Sequence, residues 1–163
     1  MWAGTGLWKG DFFCYSGLWI ILGGGQKDAG RNLPLRRGEM EAPPNGATIC
    51  NCSICRRYGV VWAYGHEGED IKVSGETSRY LWGSKSIGFH SCPICGCVAY
   101  WRAVDPGKDG WRRIAVNLRL AAPEAVATVA LDRFDGLESW QDLPRDGRCF
   151  ADDGAWVDRR VAV

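Results

Sequence analysis

Six of the chain's eight cysteines fall in two tight groups, and a fold for this chain has to accommodate both. Cys50, Cys52 and Cys55 lie in the run Cys-Asn-Cys-Ser-Ile-Cys-Arg-Arg, and Cys92, Cys95 and Cys97 lie in Cys-Pro-Ile-Cys-Gly-Cys. A Cys-x-x-Cys step puts two thiolates on one side of a tight turn, where a tetrahedral zinc ion takes both at ~2.3 Å. Paired steps that share one ion stand roughly 15–20 residues apart. The gap here is wider, so the two groups suit separate ions, one or two zincs per chain.

In the first group three thiolates leave a fourth position, and two readings stay open. Left open to water or substrate, the site is reactive; closed by a distant cysteine such as Cys14 or Cys149, it is structural. Arg56 and Arg57 follow directly, either to grip a substrate carboxylate or as a solvated face. The second group is a knuckle. Pro93 stiffens the turn, and Gly96 tolerates the positive φ that turns backbone N–H groups toward the sulfurs. Such knuckles hold structural zinc and sometimes iron. Cys97 is either a ligand or a small buried residue opening the next strand. Cys92 and Cys95 also allow a redox-switch reading. His90 is either a support for the ligands or a packed ring, and His66 is assigned no role.

At 163 residues the chain fits one domain able to bury its own core. Twenty basic residues against 19 acidic ones exclude a broad phosphate-binding surface, so no nucleic-acid partner is expected. No run of 18 or more apolar residues appears, and no membrane partner is expected. Clustered cysteines suit a reducing compartment, which points to the cytoplasm. Short runs rich in β-branched and aromatic residues at 60–64, 71–73, 79–82, 87–90, 98–102 and 113–117, separated by turn clusters, predict a mainly β fold of antiparallel strands. Residues 123–129 predict one short helix. Residues 1–45 differ from the rest: apart from a strand expected at 17–22 they lack periodicity. They read as a partly ordered arm or as a segment out of frame upstream of about Glu41. The domain then runs from 46 to 150, with a tail from 151 to 163.

Together the motifs resemble the glutathione-dependent formaldehyde-activating enzyme family, which also contains centromere protein V. The family's Cys-His-Cys-x-x-Cys-Arg-Arg motif has its counterpart at 50–57, with Asn51 in place of His, and its Cys-Pro-x-Cys-Gly knuckle at 92–96. The likeness spans about Ala47 to Phe150. It implies a single-domain β-tent fold clipped by two zinc ions, a reactive one at Cys50, Cys52 and Cys55 and a structural one at the knuckle. It further implies a carbon–sulfur lyase activity that adds glutathione to formaldehyde to give S-(hydroxymethyl)glutathione. The centromeric relative implies an alternative, a zinc-stabilised binding module without catalysis. The departure lies upstream: the family's Cys-x-Cys-Gly becomes Cys14-Tyr15-Ser16-Gly17, and a serine hydroxyl is a poor zinc ligand. Cys97 would restore the count in a set of Cys14, Cys92, Cys95 and Cys97.

Overall fold

A computed structural model describes residues 10–13, 18–22, 36–40 and 44–153. Among the described residues twelve strands carry the fold, which is mainly β. They are β1 (Gly10–Phe13), β2 (Leu18–Leu22), β3 (Arg36–Met40), β4 (Ala47–Cys50), β5 (Trp62–His66), β6 (Ile71–Val73), β7 (Ser78–Trp82), β8 (Ile87–Ser91), β9 (Val98–Ala103), β10 (Arg113–Asn117), β11 (Leu131–Asp135) and β12 (Gln141–Leu143). Two single-turn helices interrupt them, α1 (Cys55–Tyr58) and α2 (Pro123–Val126). Pro123 opens α2, where its missing N–H costs nothing.

The larger sheet runs β12-β11-β4-β5-β10-β9-β8-β7, and a second sheet runs β1-β2-β3-β6. Most neighbours are antiparallel, as the hairpin-spaced strands predict. Two pairs are parallel: β2 with β3, and β4 with β11, where Leu131 faces Ala47 and Phe134 faces Cys50. Residues 10–13, 18–22 and 36–40 are strands, and β3 pairs with β6 of the later chain.

Alternation along the strands splits the core between the two faces of the larger sheet. Val61, Ala63, Ile114, Val116 and Tyr100 point to one face and pack with Ile71, Leu118 and Leu131. Trp62, Ala115, Trp101 and Phe89 point to the other and pack with Ile54, Cys55 and Val60. Fully buried Ile71 and Ile114 contribute about 1.5–3 kcal/mol each. Asn117, a buried polar residue, is satisfied: its Oδ1 accepts from the Val61 and Arg119 N–H groups, and its Nδ2 donates to the Val98 carbonyl at 2.9 Å. These bonds tie β9 and β10 to the chain leaving α1. A register shift between His90 and Ser91 marks a bulge, which re-aims the β8–β9 hairpin just before the second cysteine group.

Candidate metal centre

β4 ends at Cys50, a turn carries Cys52, and Cys55 opens α1. Main-chain bonds from Arg56 N–H to the Cys52 carbonyl and from Tyr58 N–H to the Ile54 carbonyl, both 3.1 Å, wind this turn. Gly59, at φ +61°, ends it in the left-handed conformation that glycine adopts without penalty. The result brings the three Sγ atoms within 4.8 Å of one another. Bonds of ~2.3 Å to a tetrahedral ion place sulfurs about 3.8 Å apart, so the triplet fits such an ion.

Three N–H groups aim at these sulfurs: Cys52 N–H at Cys50 Sγ (3.4 Å), Cys55 N–H at Cys52 Sγ (3.5 Å) and the Trp62 indole at Cys55 Sγ (3.2 Å). Donors directed at sulfur favour thiolate, the form that binds metal. The Cys50 thiol is pulled down to about 6, first by the Cys55 thiol hydrogen-bonded to it and, against the effect of burial, by the Cys52 and Gly136 backbone. Cys55 moves the opposite way, raised by the same bond to Cys50 and then by burial. Cys50 and Cys52 keep partial solvent contact, while Cys55 is buried.

The far wall comes from the loop after β11, which the sequence reading missed. A Cβ on Gly136 would lie 2.7 Å from Cys50 Sγ and 2.9 Å from Cys52 Cβ, so only glycine lets the backbone come this close. Asn51 locks the loop in place. Its Nδ2 donates to Asp135 Oδ1 at 2.8 Å and its Oδ1 accepts from Leu137 N–H at 3.0 Å. The Asp135 carboxyl also accepts from the Ser139 N–H and hydroxyl. The Asn51 amide first, then Ser139, hold Asp135 well below the usual carboxylate range. An Asp-Gly pair reads as a turn, the one sequence signal available here.

Tyr64 was also missed. β4 and β5 pair at Thr48 and Trp62, so alternation sends Trp62 and Tyr64 to the cysteine side of the sheet. Tyr64 is 44% exposed, yet the atoms packed about it push its hydroxyl up to about 12; a hydrogen bond with Thr48 opposes this, and the Cys55 and Cys50 sulfurs add to it. Aromatic rings surround the site: Phe89 packs against Tyr58 and Trp62 with centroids 6.2 and 6.1 Å apart, and Tyr64 meets Trp101 edge-on.

The remaining predicted residues sort differently. Arg56 and Arg57 stand exposed on α1, without an ion-pair partner among the described residues. Cys92, Cys95 and Cys97 lie on the β8–β9 turn, closed by the Cys92 N–H to Cys97 carbonyl and Gly96 N–H to Cys92 carbonyl bonds, both 2.9 Å. Gly96 has the expected positive φ, +75°. This group too could hold a metal ion. Cys92 is buried, but Cys97 is exposed, which corrects the reading of Cys97 as a small buried residue. Cys14 and Ser16 lie outside the described residues. Cys149 does not close the triplet. It bridges to Ala130, a residue whose strand continues for four more positions before reaching the level of Cys50, roughly 13 Å away, and its thiol donates to Asp152 Oδ2 at 3.1 Å.

Both histidines are packed or surface groups. His66 pairs with Asp70 at 3.2 Å beside Trp111. His90 is stacked on Tyr100, and burial, then the Arg102 and Arg79 charges, lower its pKa to about 4. No helix among the described residues is long and apolar enough to cross a membrane.

No family model and no curated protein matches the chain. Among solved structures, the crystal structure of a Rhodobacter sphaeroides protein is 23% identical over 52% of this chain and 79% of its own, with a TM-score of 0.39. Similarity at that level names neither a family nor a ligand.

Proposed function

We propose that Cys50, Cys52 and Cys55 would hold a zinc ion that activates an outside thiol, and that the chain is an enzyme of the carbon–sulfur lyase type. The substrate class is a small thiol such as glutathione together with an aldehyde such as formaldehyde. The observation that carries this is the convergence of three sulfurs within 4.8 Å, two of them open to solvent. The motif resemblance to the formaldehyde-activating family supports the substrate class.

Zinc bound there would bring an incoming thiol to its thiolate form near neutral pH. The chain's own groups supply the rest. The indole N–H of Trp62 and the backbone N–H groups of Cys52 and Cys55 fix the ligand sulfurs and offset their charge. Gly136 leaves the loop room to close over Cys50. As the carbon–sulfur bond forms, the carbonyl π pair moves to oxygen, which needs a proton. Tyr64, kept protonated, is the donor; the thiol's proton passes to solvent and solvent reprotonates Tyr64, and both transfers run backwards in the reverse, lyase direction. Arg56 and Arg57 are free to pair with a peptide carboxylate.

The test is the rate of S-(hydroxymethyl)glutathione formation with wild type, with Cys52→Ser and without protein, alongside zinc content per chain. Wild type is expected to carry zinc and exceed the other two rates. Equal rates for all three overturn the catalytic reading and leave a zinc-stabilised binding module.

A further inference from the structure

We propose that a cleft on the face of the larger sheet opposite the cysteine triplet binds a small divalent oxyanion, the phosphate group of a soluble phosphate monoester being the class that fits. The proposal is independent of the thiol chemistry. β7, β8 and β9 lie side by side, with Arg79 opposite His90 and Gly88 opposite Arg102. All four therefore share one face, the reverse of the one carrying Phe89 and Trp101. Gly88 has no side chain, so the row is broken there. The gap opens into a shallow, solvent-open cleft lined by Arg79, Gly88, His90, Arg102 and Arg112. The strands bearing Arg79 and Arg102 are about 10 Å apart, room for one phosphate between their guanidinium groups.

Charge and hydrogen bonding in this cleft are both unbalanced. Glu67 is shared by two of the arginines, 2.7 Å from Arg102 and 3.7 Å from Arg112, while Arg79 has no ion-pair partner among the described residues. Three guanidinium groups against one carboxylate leave the cleft positive, matched to a dianion. His90 is only 4% exposed, and its ring is fixed flat on Tyr100, 4.4 Å away and 10° from parallel. Nδ1 is engaged by the Thr77 hydroxyl at 2.7 Å, but Nε2 is buried with no partner. A Cβ on Gly88 would sit 3.4 Å from that Nε2, so the nitrogen faces the gap. Buried polar atoms rarely go unpaired, and this one points where an anion's oxygen would sit. The Thr77 hydroxyl can donate to Nδ1, and in that arrangement the ring proton lies on Nε2, the tautomer that donates to an oxyanion. Guanidinium groups recognise phosphate oxygens two at a time, completing the set of donors.

Calorimetric titration with inorganic phosphate at fixed ionic strength tests this. One saturable site per chain is expected. Arg79→Gln, at an exposed position, is expected to weaken it about tenfold or more. Gly88→Ala, which fills the floor without removing charge, is expected to weaken it as well. Arg145→Gln, beside β11 at the far end of the sheet, is expected to bind as wild type does. No saturable binding in wild type, undiminished binding in both Arg79→Gln and Gly88→Ala, or loss in Arg145→Gln alone overturns the assignment. So does tighter binding of malonate, which would make this a dicarboxylate site.

Discussion

Gly136→Ala puts the cysteine centre to its sharpest test, because it adds a single methyl group where backbone meets sulfur. The new Cβ would stand 2.7 Å from Cys50 Sγ and 2.9 Å from Cys52 Cβ. Ordinary contact is about 3.5–4.0 Å, so each pair falls short by about 1 Å. Neither neighbour is the far end of a flexible chain. Cys50 is held by its strand and Cys52 by the turn, and the loop is pinned by Asn51 and Asp135. Overpacking of this kind costs about 1–3 kcal/mol. If it falls on the geometry of the sulfurs, zinc affinity drops about 5- to 150-fold. Competition against a coloured chelator reads this directly. Gly110→Ala is the control: at φ +83° with nothing within 4 Å, it strains the backbone away from the sulfurs. It is expected to lower the melting temperature while leaving affinity unchanged. Wild-type affinity in Gly136→Ala would refute the close approach of this loop and, with it, the shape of the site.

Asn51→Ala removes both side-chain bonds to the loop and is expected to destabilise the fold by about 1–3 kcal/mol, read by urea denaturation. Asp135 is held below its ordinary carboxylate range, so the folded protein binds fewer protons than the unfolded chain as the pH falls. Its contribution is complete above about pH 4–5 and is lost on further acidification; Asp135→Asn should flatten stability against pH in that window, and an unchanged acid limb would count against the Asn51–Asp135 clasp. Tyr64→Phe is expected to keep zinc content while slowing thiol–aldehyde addition at least tenfold, by steady-state rate. A rate equal to wild type would remove Tyr64 as proton donor.

The middle of the fold was readable from local pattern. Expected strands at 71–73, 79–82, 87–90, 98–102 and 113–117 match β6 to β10 within about a residue at each end, because hairpin neighbours impose their alternation on contiguous sequence. The helix expected at 123–129 forms as Pro123–Val126. β4, β11 and β12 escaped notice. β4 is four residues long, β11 reads Leu-Asp-Arg-Phe-Asp with charge at three of its five positions and no clean alternation, and their pairing is parallel and distant. At the site, spacing alone revealed the three cysteines, since their geometry is local. Asn51, Gly136 and Tyr64 were invisible for the opposite reason. Asn51 meets Asp135 across 84 residues, and Tyr64 faces the sulfurs only through the register of β4 and β5.

That parallel pairing of β4 with β11 has a consequence for biogenesis. A nascent chain exposes its first thiol trio long before the segment that roofs it leaves the ribosome, so the sulfurs spend synthesis without their lid. Contacts between such remote stretches form slowly. Ion capture and closure are thus separate events in time, and a shortened product ending ahead of Leu131 would display a bare, oxidation-prone cluster rather than a finished centre.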